Sequence, residues 1–365
     1  MNFRCRVFVH MEDLFRWSGR GEIWRKILAG LYSGQRNDDS KDIPSHREVP
    51  HLSLARQPRI VFVSGPTATG KSEFAIKMCE KFGGEIVNAD SIQFYAGLDI
   101  GSAKPTDADF KRAHHHLFSV KGVGETINAS EYRKLFLTTI KERSRFADTF
   151  FVVGGSGFYL KGVLHGHFDT PTPTQEIRLQ VNVWLKQIGA LAAFEWLTNL
   201  DPLFASKISA NDIYRIGRAR ENYLMTGQTP SQIRDSFRST PIGYRHTLIC
   251  LFQNRDEHKQ SVSHRTQQML RLGLIEETSS LLKVSPAGWA PLRSVGYKQC
   301  ADFLQNSESK DTLGEKINQA THNLIKRQLT WFRAQPEAIW FETNHSNNAA
   351  QNWLSEFLCK PAYST

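Results

Sequence analysis

The segment formed by residues 65–72 combines residue types and spacing that suit phosphate binding. It reads Gly65, Pro66, Thr67, Ala68, Thr69, Gly70, Lys71 and Ser72. This order fits the pattern G-x-x-x-x-G-K-[ST], in which glycines let backbone N–H groups surround a phosphate. Lys71 adds a positive charge, and Ser72 offers a hydroxyl to Mg²⁺. The segment therefore predicts a P-loop for a phosphorylated ligand.

The carboxylate that accompanies a P-loop in phosphoryl-transfer enzymes is missing from its usual place. Those enzymes have an acidic residue after an apolar strand, where it helps to hold Mg²⁺. Here the apolar run 150–153 is followed by Gly154, Gly155, Ser156 and Gly157. Asp90 instead ends a different predicted strand, near the crevice where α/β sheets bind ligands. It suits general-base work on an acceptor, and its alternative interpretation is a helix or turn cap.

Two other patterns give weaker signals. The segment around Ser156 resembles the nucleophile elbow G-x-S-x-G, but Phe158 occupies the second glycine position, which argues against a serine hydrolase. We keep Ser156 as a polar group that faces the crevice. The run His114, His115 and His116 suggests a metal site, yet consecutive residues do not easily converge on one ion.

Apolar patterning predicts strands that alternate with helices. Runs rich in β-branched and aromatic residues indicate strands at 59–63, 85–90, 148–153 and 247–252. Helical spacing follows the first strand and recurs over residues 130–146, between the second and third. Such alternation is typical of a parallel sheet. We therefore expect an α/β fold with a P-loop NTPase-like parallel sheet core.

The local pattern of apolar and polar residues divides the chain into further segments. Helical stretches without a convincing strand fill residues 170–240, which we interpret as a helical insertion. The α/β core then comprises residues 58–169 and 241–340. An N-terminal extension of unknown role occupies residues 1–57, and a C-terminal tail occupies residues 341–365.

Composition favours a globular protein with polyanionic partners. The 365 residues include 46 Lys and Arg against 36 Asp and Glu, giving a formal net charge of +10. This excess of positive charge attracts polyanions such as nucleic acid, although many basic proteins bind none. No apolar run approaches the roughly 18 residues of a membrane span. The five scattered cysteines form no CxxC pair. We expect a cytoplasmic monomer that has no membrane partner.

Four further segments, together with the P-loop, resemble one enzyme family. They are residues 88–105, 153–160, 293–299 and 326–333. In order and spacing they are similar to the motifs of tRNA dimethylallyltransferases of the bacterial type, over residues 60–333. The resemblance implies transfer of a dimethylallyl group from dimethylallyl diphosphate to N6 of adenosine 37, next to the tRNA anticodon. Diphosphate would be the leaving group, which explains why no water-activating carboxylate is needed.

The resemblance also implies roles for individual residues. Lys71 and Ser72, with Mg²⁺ as cofactor, would hold the diphosphate in the backbone of residues 65–70. Arg255 is a candidate second cation. Asp90 would accept the N6 proton, and Ser156 stands where the family usually has Thr, at the acceptor.

Contacts to the tRNA anticodon stem-loop are implied for segments on both sides of the crevice and in the insertion. They comprise Asp90, Ser91, Ile92, Gln93, Ser156, Arg178, Tyr214, Arg215, Arg218, Arg293, Ser294, Val295, Gly296, Tyr297 and Lys298. The chain departs from the family pattern at residues 218–221 and 321–323, which puts the local contacts in doubt.

Three alternative functions remain open at this stage. An adenylate isopentenyltransferase would share the P-loop and the donor, but its small acceptor needs neither the insertion nor the segment 293–299. A small-molecule kinase would show ATP-dependent phosphorylation and would want a carboxylate after Val153. A non-catalytic RNA-binding module would not require Lys71, Asp90 and Ser156 together.

Overall fold

The chain builds a six-stranded sheet in which all paired strands run parallel. The computed structural model describes residues 57–166, 171–305, 310–343 and 349–359, so the expected extension 1–57 lies outside them apart from its last residue. The strands are β1 (Arg59–Ser64), β2 (Glu85–Asn88), β3 (His115–His116), β4 (Thr149–Val153), β5 (His246–Phe252) and β6 (Ala338–Glu342). Their order, β3-β2-β4-β1-β5-β6, confirms the expected α/β fold.

The central strands are apolar on both faces because helices cover both faces of the sheet. Alternate residues of a strand point to opposite sides. Ile60 and Phe62 of β1 therefore join one hydrophobic cluster, while Val61 and Val63 join the other. All four side chains are fully buried. This burial fixes the register that aligns Val63 with Val153 of β4, at the carboxyl end of the sheet.

Helices follow most strands and continue beyond the sheet. In the core they are α1 (Lys71–Phe82), α2 (Asp107–Arg112), α3 (Ala129–Arg143) and α4 (Gly157–His165). The predicted insertion contains α5 (Gln175–Leu200), α6 (Pro202–Ala205), α7 (Ile213–Thr226) and α8 (Pro230–Ser236). After β5 come α9 (Arg255–Leu272), α10 (Leu274–Val284), a 3₁₀ turn (Ala290–Arg293), α11 (Tyr297–Gln305), α12 (Lys310–Arg333) and α13 (Ala349–Cys359).

The helices between residues 175 and 236 have a small apolar core of their own. Leu197 of α5, Ala205 of α6 and Ile216 of α7 are buried together in it. Two tryptophans of α5, Trp184 and Trp196, meet edge to face with ring centroids 5.2 Å apart. Gly189, at φ 78, interrupts the helical geometry of α5 between these two rings. These contacts hold the helices of this segment together, and its role as an insertion stays a prediction.

Several elements differ from the sequence prediction. Strands β3 and β6 were not predicted, since β3 has two residues and β6 lies at the sheet edge, where its residues are only partly buried. The expected core–tail boundary at 341 falls inside β6. The expected tail also contains α13, whose Leu354 is buried in the core cluster of Val61. Within the described residues, none of the helices is long and apolar enough to cross a membrane.

Candidate active site

The P-loop lies between β1 and α1, and its glycines have distinct physical roles. Gly65 has φ +124, and a Cβ there would stand 2.2 Å from the backbone oxygen of Leu251, so no side chain fits beside β5. Gly70 has φ +77 with open space around it, directly before the exposed N-terminus of α1. Ser72 is exposed in the first turn of that helix. An open helix N-terminus with free backbone N–H groups suits a phosphate.

Lys71 is held against the loop by a hydrogen bond. Its Nζ donates a hydrogen bond to the backbone oxygen of Pro66, 2.6 Å away. Burial penalises the ammonium charge, and the nearby guanidinium of Arg265 adds to this, so the pKa of Lys71 falls to about 8; the negative charge of Asp90 opposes the shift. The negative charge of a bound diphosphate would favour the ammonium form of Lys71 and so raise its pKa.

Asp90 lies two residues beyond β2, and of the two roles that the sequence left open the structure shows the turn cap, while the general-base role stays a prediction. Its Oδ1 accepts a hydrogen bond from the backbone N–H of Ile92 at 2.9 Å, so the side chain caps the local turn. Asn88 fixes the approach to this turn by accepting the Asp90 backbone N–H at 2.8 Å. Asp90 also lines a cavity beside the P-loop.

The turn after β4 brings Ser156 next to Asp90. A Cβ at Gly154 would stand 2.2 Å from the backbone carbon of Ala89, so the two loops touch through their backbones. Ser156 Oγ accepts the backbone N–H of Ser91 at 3.0 Å. The glycines after Val153 therefore allow a close approach of two loops, in place of the expected carboxylate.

A cavity of about 540 Å³ opens between the P-loop, these two loops and helices α9 and α12. Asp90 is the only carboxylate among its lining residues in the described part of the chain, whereas Arg265, Arg293 and Arg327 supply positive charge. Part of the lining is apolar: α9 contributes Val262 and Met269, α12 contributes Ile317 and Leu324, and the loop after β2 contributes Ile92. A cavity with cations, one candidate base and a partly apolar lining can hold an anionic ligand that carries a hydrocarbon chain.

Three side chains at this site were missed by the sequence analysis. Arg265 lies on the face of α9 whose Val262, Thr266 and Met269 also line the cavity. A cation within this i, i+3, i+4, i+7 stripe was the signal that could have identified it. His258 and Gln328 contact Thr67 of the P-loop, at 2.8 Å and 2.9 Å. Gln328 lies in the motif 326–333, but nothing in the sequence showed its partner.

Comparison with known proteins identifies the family. Residues 93–335 match the family model described as IPP transferase. The chain is 37% identical to tRNA dimethylallyltransferase 1 of Pelobacter propionicus over 289 residues, which cover 78% of this chain and 93% of the relative. It is 38% identical to the tRNA dimethylallyltransferase of Bdellovibrio bacteriovorus over 302 residues, 82% of this chain and 98% of the relative. The chain belongs to the IPP transferase family.

Solved structures agree with this membership. The full-length tRNA isopentenylpyrophosphate transferase of Bacillus halodurans is 26% identical, with a TM-score of 0.60 over 83% of this chain and 97% of its own. A eukaryotic dimethylallyltransferase acting on tRNA has a TM-score of 0.70 over 82% of this chain and 79% of its own. At 21% identity, the second comparison shows the fold alone. Both solved structures thus share the α/β fold of this chain.

Two residues that were expected to contact tRNA, Gln93 and Tyr297, are instead buried in the protein behind the cavity wall. Gln93 is buried, and its Nε2 donates to the backbone oxygens of Ser102 and Ala103 at 3.0 and 3.1 Å. Tyr297 is fully buried, with its hydroxyl 2.5 Å from Glu277 Oε1. The Gln93 Nε2 group and the Tyr297 hydroxyl are therefore directed into the protein in this structure.

The other expected RNA contacts fall into two groups. Those that line the cavity are Asp90, Ser91, Ile92, Ser156, Arg293, Ser294, Val295 and Gly296. Those outside it are Arg178, Tyr214, Arg215, Arg218 and Lys298. Tyr214 is 77% exposed, whereas Arg218 and Lys298 form ion pairs with Glu221 and Asp302. The structure thus leaves Tyr214 as the most accessible group of the insertion for RNA stacking.

The resemblance assigned Arg255 to the diphosphate, but Arg255 lies away from the cavity that Arg265 lines. Arg255 is exposed in the first turn of α9 and does not line the cavity. It precedes His258 by three residues on the same helix, and His258 contacts the P-loop at Thr67. Its role therefore stays a prediction, while Arg265 is the cation of α9 that reaches the cavity.

A magnesium ion fits this site only together with a phosphorylated ligand. No group of three His, Cys, Asp or Glu residues in the described ranges could hold a metal. His116 of the histidine run bonds to Glu85, with Nε2 and Oε2 2.8 Å apart, at the other end of β2. Ser72 offers one exposed hydroxyl beside the P-loop. Mg²⁺ commonly takes one or two protein oxygens and completes its shell with waters and substrate phosphates, so the donor set is compatible.

Proposed function

We propose that this chain transfers a dimethylallyl group from dimethylallyl diphosphate to N6 of adenosine 37 in tRNA, giving N6-dimethylallyladenosine and diphosphate. Family membership and the names of the bacterial relatives support this reaction. The observation that carries the proposal is the position of Asp90, which among the described residues is the only carboxylate lining the cavity beside the P-loop. We further expect the enzyme to act as a cytoplasmic monomer.

Donor binding follows from the charges at the P-loop. Backbone N–H groups at the start of α1, with Lys71, would surround the diphosphate, and Ser72 would hold Mg²⁺ against it. Mg²⁺ would supply charge that stabilises the departing diphosphate. Arg265 approaches from α9 and adds a second positive charge. The apolar part of the cavity lining, which includes Val262 and Met269, suits the five-carbon chain.

The transfer step requires one base and one stabilised leaving group. The lone pair of N6 attacks C1 of the dimethylallyl group, and the C1–O bond breaks with its electron pair leaving on diphosphate. The N6 proton passes to Asp90. Lys71 and Arg265 neutralise the charge that grows on the leaving oxygens. Ser156 Oγ already accepts the Ser91 N–H, so its own hydroxyl hydrogen remains to orient the acceptor.

The acceptor must leave its RNA stack to reach Asp90. Extruding a base costs a few kcal/mol, which protein contacts to the surrounding nucleotides offset. Arg293 and Arg327 line the cavity and can meet the phosphates next to the extruded base. Tyr214 offers an exposed ring for stacking on the insertion side.

The experiment measures transfer of radiolabelled dimethylallyl, with Mg²⁺, to unmodified tRNA or to AMP. Wild type, Asp90→Ala and Asp90→Asn are compared with Asp107→Ala, which removes an exposed carboxylate from the first turn of α2. We expect label in tRNA with wild type and Asp107→Ala, and a loss of about 10²- to 10⁴-fold with either Asp90 variant.

Other outcomes would contradict the proposal in distinct ways. Label in AMP alone would indicate a nucleotide prenyltransferase. Label in neither acceptor, with phosphorylation of a small molecule by ATP, would indicate a kinase. Undiminished transfer by Asp90→Asn would keep the reaction but remove Asp90 as its base.

A further inference from the structure

The backbone of one P-loop residue, Thr67, is held on both sides by side chains of two distant helices. Gln328 Oε1 of α12 accepts the backbone N–H of Thr67 at 2.9 Å. His258 Nε2 of α9 lies 2.8 Å from the backbone oxygen of the same residue. A carbonyl oxygen can only accept, so His258 Nε2–H donates this bond, and burial lowers the pKa of His258 from its ordinary value. The backbone N–H and the backbone C=O of Thr67 are therefore both hydrogen-bonded within the protein.

The same Gln328 side chain also contacts the acceptor side of the cavity. Its Nε2 donates to the backbone oxygen of Gly155 at 3.1 Å. An N–H partner on one side and a carbonyl partner on the other fix which amide atom is which. A Cβ at Gly155 would stand 2.4 Å from this Nε2, so glycine is what lets the amide reach the turn. Gln328 thus bridges the donor-binding loop and the turn that carries Ser156.

The neighbouring helical turn reinforces this bridge. Trp331 lies three residues after Gln328, and a Cβ at Gly157 would stand 2.3 Å from its ring. One face of α12 therefore packs against both glycines that flank Ser156. Gln328, Thr67 and Gly155 all line the cavity, so the bridge lies at the place where donor and acceptor would meet.

We propose that Gln328 is a positioning residue, which sets the distance between the diphosphate in the P-loop and the acceptor base at the Ser156 turn. His258 holds the backbone carbonyl of Thr67. The inference rests on the proposed function, because it concerns the alignment of the two substrates of that reaction. Small errors in such an alignment slow the chemical step about 10²-fold, whereas each substrate can still bind.

The test compares Gln328→Met, which keeps length but removes both bonds, with Gln335→Met as a matched control. Gln335 follows the end of α12 and donates to the backbone oxygen of Trp331 at 2.9 Å, outside the cavity lining. Single-turnover transfer to tRNA, Kd for each substrate and the thermal unfolding midpoint are measured. We expect the transfer rate to fall about 10- to 100-fold in Gln328→Met alone, with both Kd values within about threefold of wild type.

Gly155→Ala tests the bridge from its other end and should show the same loss of rate without loss of binding. A rate in Gln328→Met equal to that of Gln335→Met would overturn the proposal. The proposal would also be overturned if weaker substrate binding and lower thermal stability accounted for the whole fall in rate in both Gln328→Met and Gly155→Ala. Absence of transfer by wild type would instead refute the proposed function.

Discussion

Glu277 organises the cavity wall opposite the P-loop, and its removal gives a stability change that can be worked out from its contacts. Its two carboxylate oxygens accept the backbone N–H groups of Asp99, Ile100 and Gly101, at 3.2, 2.9 and 3.2 Å. They also accept the Tyr297 hydroxyl at 2.5 Å. Three consecutive N–H groups that converge on one carboxylate form an anion-binding turn, which the protein fills with its own side chain.

The substitution Glu277→Gln keeps the shape and removes the charge. Hydrogen bonds to a charged acceptor contribute about 1.5–3 kcal/mol and neutral ones about 0.5–1.5, so each N–H bond weakens by about 1 kcal/mol. An amide also has one acceptor oxygen fewer. Asp99 is exposed, and water can replace its bond in part. We therefore expect the free energy of unfolding to fall by about 2–3 kcal/mol.

The assay is urea unfolding of wild type, Glu277→Gln and Glu276→Gln, followed by the Kd for unmodified tRNA. Glu276 is adjacent and exposed, so its variant removes the same charge without these bonds. Gly101 and Ser102 line the cavity, hence tRNA binding should weaken only in Glu277→Gln. A Glu277→Gln protein whose unfolding free energy lies within about 0.5 kcal/mol of Glu276→Gln would refute this reasoning.

Charges elsewhere give three shorter tests. Because burial lowers the pKa of Lys71 to about 8, its charge is lost as the pH rises through that value. Affinity for dimethylallyl diphosphate, measured by calorimetry, should fall between pH 7 and 9 in wild type but stay flat in Lys71→Met; equal slopes would contradict this. Arg265→Met should slow single-turnover transfer about 10²- to 10³-fold, whereas exposed Arg271→Met should not. At the start of β2, burial would raise the pKa of Glu85, but hydrogen bonds from Arg143 and His116 outweigh it and hold that pKa below 4.5. Glu85 therefore stabilises the fold above about pH 4.5 and loses this contribution as the pH falls through its folded-state pKa. Glu85→Gln should show a flatter decline of the urea midpoint between pH 5 and 3, and an unchanged decline would contradict the assignment.

Features that depend on neighbouring residues could be predicted from the sequence. The P-loop glycines, the buried strand β1 and the helix that follows are each encoded within about 25 residues. The proximity of Asp90 and Ser156 was also predictable in outline, because both follow parallel strands whose carboxyl ends meet. The register Asn88 to Val153 brings their loops together. These predictions needed only strand order and periodicity.

Features that depend on distant pairing could not be predicted in the same way. Gln93 and Tyr297 have residue types that suit RNA contact, yet the fold turns both side chains inward. Arg255 and Arg265 share one helix and are about 15 Å apart along it, and spacing alone did not show which of them reaches the cavity. The direction of a polar side chain is decided by its partner, and the partner is set by tertiary structure.

The sequence motifs contact one another in pairs, and these contacts shape the cavity. Gln328 of the last motif binds Thr67 of the first, 261 residues away. The ring of Tyr297 leaves room only for glycine at position 101, since a Cβ there would stand 2.6 Å from it. Each of these contacts joins two walls of one cavity, so a change in either partner displaces groups that belong to the other. The arrangement of the groups that line the cavity therefore depends on contacts between motifs. For this reason it could not be predicted from any single motif.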